Sequence, residues 1–595
     1  MSVGFYHENS CFFKLNITDM KWYRILALCF GLLAAGMAAG EVRLDRKGKA
    51  PQLIVDGKPM LVIGGELGNS SASCPEDIAR NFNIVREMGL NTVLVPIYWE
   101  LIEPQEGEFD FSTVDFVLDT ADKEGLKVIF LWFGAWKNSM SCYAPGWFKE
   151  DFKRFPRAKT RSGKALEIAS AFSENVFKAD STAFVAWLRH AVDRDKNNTM
   201  IMVQVENEIG MLEDARDYSG AAQREYDKGV PQQLIRHLRK NRKSLHPLLK
   251  ERWEAHGCKT KGSWAEVFGD DIFTDEYFMA WNYAAYVERL ARAAREITTV
   301  PLYVNAAMNS RGRRPGEYPS AGPLAHLKDI WHAAAPTLDF ISPDLYDKGF
   351  TDWVAQYATD DNILFIPEIK SGDGNAAQLL YVAGEHDAIG LSPFSIENAG
   401  RDPQSPKLKG YRMIGTLAPL LLAHQGDGSM RGLFFDNDST TRVLRDGDLK
   451  ITASHYFTLP WDPRAKDGSL WPEIGGVIIR LAPDEYIIAG SGIVLKFENA
   501  DENSAARVLG EDGFAQAGAA SATVRTDSSA APRETDGSEH QARVGLKHVA
   551  EVAVAPDGSF TPVRHFNGDE THQGRHVRIS VDDFRILHVQ LYRYR

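Results

Sequence analysis

The sequence predicts an α/β fold: an eight-stranded (β/α)8 barrel followed by a C-terminal β-sandwich domain. Three observations carry this. Short apolar runs recur eight times between about residues 60 and 394, with helical stretches between them, the pattern of βα units closing into a barrel. Several runs end in polar or acidic residues, as strands do at the barrel face whose loops carry chemistry. Beyond about residue 430 the texture changes to short β-branched runs bounded by turn residues, without helical periodicity of comparable strength.

The 595 residues are too many for one ordinary core, and 44% hydrophobic with 25% charged residues is a globular composition. A formal charge of −12 argues against nucleic acid or an anionic membrane surface as the main partner. Aromatic content is 11%, with 13 Trp, which suits a sugar site and a large buried core equally. The five cysteines, Cys11, Cys29, Cys74, Cys142 and Cys258, form no CxxC or Cys/His cluster, so no structural metal site is expected. Cys74 and Cys142 are the pair open to a disulfide in an oxidising compartment.

Taken in order, the chain opens with an address. From Met20 it reads Met-Lys-Trp-Tyr-Arg, then almost no polar residue from Ile25 to Ala39, then Gly40-Glu41. A basic start, a short apolar stretch and small residues at Ala38-Ala39-Gly40 predict a signal peptide within residues 1–40, with Met20 the expected true start. The apolar stretch is short for a membrane span, so no stable membrane insertion is expected after cleavage. The expected location is periplasmic or secreted.

Residues 41–428 are assigned to the barrel and 429–595 to the sandwich. Leu53 to Pro59 reads as a β lead with a turn at Asp56-Gly57. Met60 to Glu66, Thr92 to Glu100 and Lys127 to Trp132 are the first three barrel strands, and about 199–206 the fourth. A long insertion follows, from about Met211 to Glu296. Its basic stretch, Arg236 to Lys250, reads as a solvated helical face, and Asp275 to Glu296 as an amphipathic helix burying Met279, Tyr283, Tyr286 and Leu290. Strands five to eight are expected at Pro301–Asn305, Leu338–Pro343, Ile363–Glu368 and Ile389–Phe394. In the second domain Gly476–Arg480, Tyr486–Gly490 and Phe584–Leu591 read as strands, and Ala517 to Gly537 as a loop.

The fourth strand runs into Val203-Gln204-Val205-Glu206-Asn207-Glu208-Ile209-Gly210, and the seventh ends at Glu368. Two glutamates at the mouth-side ends of barrel strands are what retaining glycoside hydrolysis requires: one carboxylic acid protonates the leaving oxygen, and a carboxylate about 5–5.5 Å away attacks the anomeric carbon. Within the motif Glu206 competes with Glu208; strand alternation predicts that it shares the face of Glu208, one pleat deeper.

These residues resemble a family. Gln204 to Gly210 is similar to the acid/base signature of glycoside hydrolase family 35, the β-galactosidases, and Trp99-Glu100-Leu101-Ile102-Glu103-Pro104-Gln105-Glu106-Gly107-Glu108-Phe109-Asp110-Phe111 to that family's stretch after strand two. The resemblance covers most of residues 50–400, and the C-terminal part is similar to the β-rich domain of a bacterial branch. It implies Glu208 as acid/base, Glu368 as nucleophile, Asn207 as the partner of a sugar 2-hydroxyl, and Tyr346 as the residue orienting the nucleophile. The sequence departs from the pattern at three places. Gly134-Ala135-Trp136 stands in place of an acidic sugar contact, Gly65 to Asn69 lacks a histidine, and Pro96 replaces a tyrosine. Glu66, Tyr98, Trp132 and Trp136 are the candidates for rebuilding that subsite, with core packing as the alternative for each.

The expected activity is therefore release of terminal β-galactosyl residues from oligo- or polysaccharides by double displacement, with no cofactor and no metal. A same-clan retaining hydrolase of another β-glycoside and a non-catalytic carbohydrate-binding protein on the same scaffold are the alternatives. A metal hydrolase has no HExxH-type cluster to support it.

Overall fold

The computed structural model describes residues 41–309, 312–400, 402–500 and 543–594. The expected leader, residues 1–40, and the loop Ala517–Gly537 lie outside the described residues. The chain starts in a small three-stranded antiparallel sheet, Arg43–Lys47, Ala50–Val55 and Lys58–Met60, with the predicted turn at Asp56-Gly57. Gln52 of this sheet donates to the carbonyl of Leu422 (2.9 Å), which docks it on the last helix of the barrel.

Eight parallel strands then close a barrel: β1 (Val62–Glu66), β2 (Thr92–Tyr98), β3 (Lys127–Phe133), β4 (Met200–Gln204), β5 (Leu302–Ala307), β6 (Phe340–Leu345), β7 (Phe365–Ile369) and β8 (Gly390–Pro393). They follow one another around the wall in sequence order, and β8 returns to β1 through Gly390 opposite Val62. A Cβ on Gly390 would come within 2.4 Å of the Val62 Cβ, so glycine is what lets the barrel close there. The strands are buried on both faces, β2 from end to end, and this is why each appears in the sequence as an unbroken apolar run. Their principal helices are α1 (Pro75–Glu87), α2 (Ser112–Glu124), α3 (Glu174–Arg194), α4 (Ile272–Arg295), α5 (Lys328–Ala334), α6 (Phe350–Tyr357), α7 (Asn375–His386) and α8 (Pro406–His424). The insertion between β4 and α4 holds four shorter helices, among them Gln232–Lys240 with its basic last turn. Met279, Tyr283, Tyr286 and Leu290 all face the core from α4, as their spacing predicts.

The C-terminal part is two antiparallel sheets. One has β9 (Met430–Phe435), β12 (Ile474–Ala482), β13 (Glu485–Ser491), β18 (Arg585–Tyr594), β15 (Arg543–Val554) and β16 (Phe560–His565), in that lateral order. The other has β10 (Thr441–Asp446), β11 (Leu449–His455), β14 (Ile493–Asn499) and β17 (Val577–Arg578). Leu433, Ile451, Ile488, Leu495 and Val589 belong to the core these sheets share. The opposite face of the six-stranded sheet is also apolar: Val477, Ile479, Ile487 and Ala489 join the core of the barrel. The bidentate pair of Arg442 on β10 with Glu385 on α7 ties the two parts further (3.0 Å from Nη1 to Oε2). Cys74, Cys142 and Cys258 are free thiols, so the Cys74–Cys142 disulfide is not formed. Among the described residues no helix is long and apolar enough to cross a membrane.

Candidate active site

β4 ends at Gln204, and the next residues turn rather than continue the strand. Glu206 and Glu208 both have left-handed backbone, with φ of +62° and +46°. Such a conformation costs about 1–3 kcal/mol at a non-glycine residue and persists only where the surroundings enforce it. Here the Asn207 N–H donates to the Trp136 carbonyl (3.3 Å), the Glu208 N–H to Asn305 Oδ1 (2.9 Å), and the Ser139 N–H to the Glu208 carbonyl (3.1 Å).

The twist separates the two glutamates, and the expectation of simple alternation is corrected. Glu206 turns back toward α3: its Oε2 accepts the Trp136 N–H (2.8 Å), and it faces Asp180, which accepts from Trp132 Nε1 (2.9 Å) and the Tyr286 hydroxyl (2.8 Å). Burial, then the charge of Asp180, pushes the Glu206 carboxyl well above the usual carboxylate range. Glu208 turns into the mouth instead, where Asn138 donates to its Oε2. Glu208, Asp344 and Glu368 each bring a carboxylate oxygen to within 4.8 Å of the others. Asp344 stands opposite Glu368 in the β6–β7 register and accepts from Asn305 Nδ2 (2.6 Å), so Asn305 holds Glu208 and Asp344 together.

Tyr346, expected to orient Glu368, lies in contact with it: the Tyr346 hydroxyl donates to Glu368 Oε1. Burial and the charge of Glu208 raise Glu368 to about 7, with Lys137 and the Tyr346 hydroxyl pulling the other way. Glu66, at the end of β1, and Asp344 are pushed well above the carboxylate range by burial and then by the charge of Glu368. Lys137, 3% exposed with Nζ 5.0 Å from the Phe133 ring centre, is the cation that offsets part of this charge. Several buried polar atoms have no partner within the protein: Glu66 Oε1, Asp344 Oδ1, Glu368 Oε2 and both amide atoms of Asn207. Native interiors rarely leave such atoms unmatched, and a group of them on converging residues marks a place for a polar ligand.

Two subsite candidates are corrected. Trp132 points away from the barrel axis, donates to Asp180 and packs on Phe184 and Trp187 of α3. Trp136 is fully buried with its ring against Tyr283 and Tyr286 of α4. Both are committed to the layer between strands and helices, as alternation along β3 and the turn after it require. Tyr98 is 2% exposed, its hydroxyl accepts the Ala72 N–H (3.2 Å), and its ring packs on Phe133 and Tyr143. Of the four, Glu66 is the one set among the mouth carboxyls. Lys137, Asn138, Asn305 and Asp344 were not picked out from the sequence. For Asn305 and Asp344 the signal was present, since each is a polar residue closing an apolar strand, as Glu368 is. Glu208, Asp344 and Glu368 are also spaced as a divalent ion's ligands would be, although an ion there would occupy both candidate catalytic groups.

Comparison with known proteins bears on this geometry. Residues 71–268 match the model of glycoside hydrolase family 42, described as β-galactosidase. The likeness to family 35 expected from the motifs is thereby corrected: the matching model is that of family 42. The stretch takes in Glu208 and stops before Glu368. Residues 408–578 match a domain of unknown function, DUF5597, whose first residues fall in α8. A β-galactosidase of Xanthomonas manihotis is 29% identical over 205 residues, which are 33% of this chain and 31% of that protein. The chain thus spans about a third of this relative's length. Among solved structures, the β-galactosidase of Marinomonas ef1 aligns with 14% identity over 61% of this chain and 60% of its own, at a TM-score of 0.41. That of Rahnella sp. R3 aligns with 15% identity over 62% and 57%, at a TM-score of 0.43.

Proposed function

We propose that this chain is a retaining glycoside hydrolase that releases terminal β-galactosyl residues from oligo- or polysaccharides, with Glu368 as nucleophile and Glu208 as acid/base. The observation that carries the reading is the approach of their carboxylate oxygens to within 4.8 Å at the barrel mouth. Retaining pairs stand about 5–5.5 Å apart and inverting pairs about 6.5–9.5 Å, the wider gap being needed to seat a water. The galactosyl specificity is supported by the family match over residues 71–268 and by the Xanthomonas relative.

In the first step the Glu368 carboxylate attacks the anomeric carbon while Glu208 gives its proton to the departing glycosidic oxygen. In the second, Glu208 takes a proton from water, which attacks the same carbon and frees Glu368. In the glycosyl-enzyme Glu368 is held as an ester, and Glu208 is the group left to exchange a proton with the attacking water. Tyr346 and Lys137 keep enough negative charge on Glu368 for attack near neutral pH. Asn207 and Glu66, with unmatched buried atoms, offer hydrogen bonds to sugar hydroxyls. The reaction calls for no cofactor. The basic and apolar leader supports export to the periplasm or beyond.

The test is hydrolysis of a panel of aryl β-glycosides by the wild type, Glu208→Ala and Glu368→Ala, with azide added. The expected result is galactoside turnover lost in both variants, β-galactosyl azide from Glu208→Ala and α-galactosyl azide from Glu368→Ala. Turnover of a different sugar moves the specificity within the same mechanism. A wild type that binds sugars and cleaves none sinks the reading in favour of a binding protein.

A further inference from the structure

The loop 370–374 directly follows β7, and therefore Glu368. Asn375, 1% exposed at the start of α7, organises it: Oδ1 accepts the Gly372 N–H (2.7 Å), and Nδ2 donates to the Lys370 carbonyl (3.1 Å) and to Gln378 Oε1 (2.8 Å). Gln378 in turn donates from Nε2 to Glu473 Oε2 (3.1 Å), and Glu473 belongs to the β-sandwich, at the foot of β12. A second observation concerns the same contact. Gly374 has an ordinary φ of −75°, so its backbone does not call for glycine. A Cβ added there would come within 2.7 Å of the Glu473 Cβ, so space does.

The segment bearing Glu473 is itself rigidly held. The Asn437 side chain accepts the Trp471 N–H (2.9 Å) and donates to the Trp471 carbonyl (3.0 Å). Trp471 Nε1 donates to the Arg464 carbonyl (3.0 Å), and His455 Nε2 to the Pro472 carbonyl (3.1 Å). A fixed carboxylate from one domain thus ends a chain of hydrogen bonds that begins one residue after the last residue of the nucleophile's strand.

We propose that Glu473 is a positioning residue for the nucleophile: through Gln378 and Asn375 the β-sandwich fixes the loop behind Glu368. This rests on the hydrolase reading above. A clip that merely joins two domains would affect stability alone, whereas a positioning contact affects turnover per folded molecule.

The experiment uses the full chain and three variants, Glu473→Ala, Glu473→Gln and Gly374→Ala, assayed on an aryl β-galactoside well below their melting temperatures. Hydrogen–deuterium exchange is followed over residues 370–375. Misplacement far from the chemistry can cost up to about 100-fold, so a fall in kcat of about 10-fold with KM little changed is expected for Glu473→Ala. Gly374→Ala, which strains the contact from its other side, should act alike. Glu473→Gln keeps an oxygen for Gln378 and should return kcat and exchange to wild-type values. Wild-type kcat in Glu473→Ala, or a Gln variant as poor as Ala, overturns the proposal. A wild type inert on every glycoside defeats the hydrolase reading by itself; the exchange data then decide the strut, with unchanged protection over 370–375 in Glu473→Ala counting against it.

Discussion

Two pairs of buried carboxyl groups stand on either side of the same short turn, and they differ in what surrounds them. Behind β4, Glu206 and Asp180 are closed in by Trp132, Trp136 and Tyr286: the Trp132 indole and the Tyr286 hydroxyl donate to Asp180, and the Trp136 backbone N–H donates to Glu206. In front of it, Glu208 and Glu368 share the mouth with Asp344, Glu66 and Lys137, and oxygens there are left without donors. Both pairs carry the cost of burial. The rear pair receives three fixed donors and leaves Glu206 Oε1 unmatched, whereas in the front group one oxygen each of Glu66, Asp344 and Glu368 remains available to a substrate. A carboxyl in a barrel is thus distinguished less by its burial than by whether its neighbours already satisfy it.

The comparison can be broken first at the catalytic pair. Loss of an essential nucleophile costs on the order of 10⁵-fold or more in turnover, so Glu368→Ala should show no measurable hydrolysis beyond background. Glu208→Ala removes general acid and base catalysis, worth about 10²–10⁴-fold. It should suffer least on substrates whose leaving group needs no proton, such as a dinitrophenyl glycoside. Steady-state assays on good and poor leaving groups check both; equal losses on the two classes in Glu208→Ala would contradict its role.

Tyr346→Phe should come next. A hydrogen bond to a charged group contributes about 1.5–3 kcal/mol, which corresponds to roughly 10- to 100-fold in rate. The sign of its pH effect follows from Glu368. The nucleophile must be ionised, it is raised to about 7, and the tyrosine hydroxyl lowers it. The acid limb of kcat/KM should therefore lie near 7 in the wild type and move to higher pH in Tyr346→Phe. Lys137→Met should displace it the same way, since its charge also lowers Glu368. A limb that stays put in both variants would mean that another group governs it.

On the rear side the expected change is in stability. Glu206→Ala leaves the Trp136 N–H without its acceptor, which costs about 1–3 kcal/mol. Turnover per folded molecule should hold, and thermal unfolding followed by circular dichroism gives the other half. Glu66→Gln sharpens the pH side of the contrast. A carboxyl raised in the folded state opposes folding above its unfolded value, and that penalty vanishes as pH falls through it. The amide variant should therefore melt higher than wild type at pH 8 and match it near pH 4, by a margin of about 1 kcal/mol, typical of single stabilising substitutions. The smallest effect is expected from metal removal. Two carboxyl groups suffice for double displacement, so turnover should survive prolonged EDTA treatment, and a loss restored by one divalent ion would assign the three-carboxylate cluster another role.

Much of the fold was legible because barrel strands are buried on both faces, and burial on both faces leaves unbroken apolar runs such as Thr92 to Tyr98. The sandwich was legible for the opposite reason: β11 alternates buried and half-buried residues along its whole length. Glu208 and Glu368 were legible as acidic residues closing such runs. Trp132 and Trp136 were not, because a one-residue change of face decides whether an aromatic ring meets the mouth or a helix. Glu206 was misplaced because strand alternation stops at Gln204, and left-handed backbone on both sides of Asn207 cannot be read from Val-Glu-Asn-Glu. Lys137 and Asn138 lie in a loop whose path depends on contacts with Glu208, so nothing local announces them.

The six-stranded sheet has no face meant for water over its central strands. One side serves the sandwich, and on the other Val477, Ile479, Ile487 and Ala489 complete the interior that α7 and α8 need. A protein trimmed at residue 428 would therefore not be a smaller enzyme. It would carry a greasy wound where the sheet had been, and its fate in solution would be aggregation. The change of texture near residue 430 marks where one architectural style gives way to another, while heat should melt both styles together in a single transition.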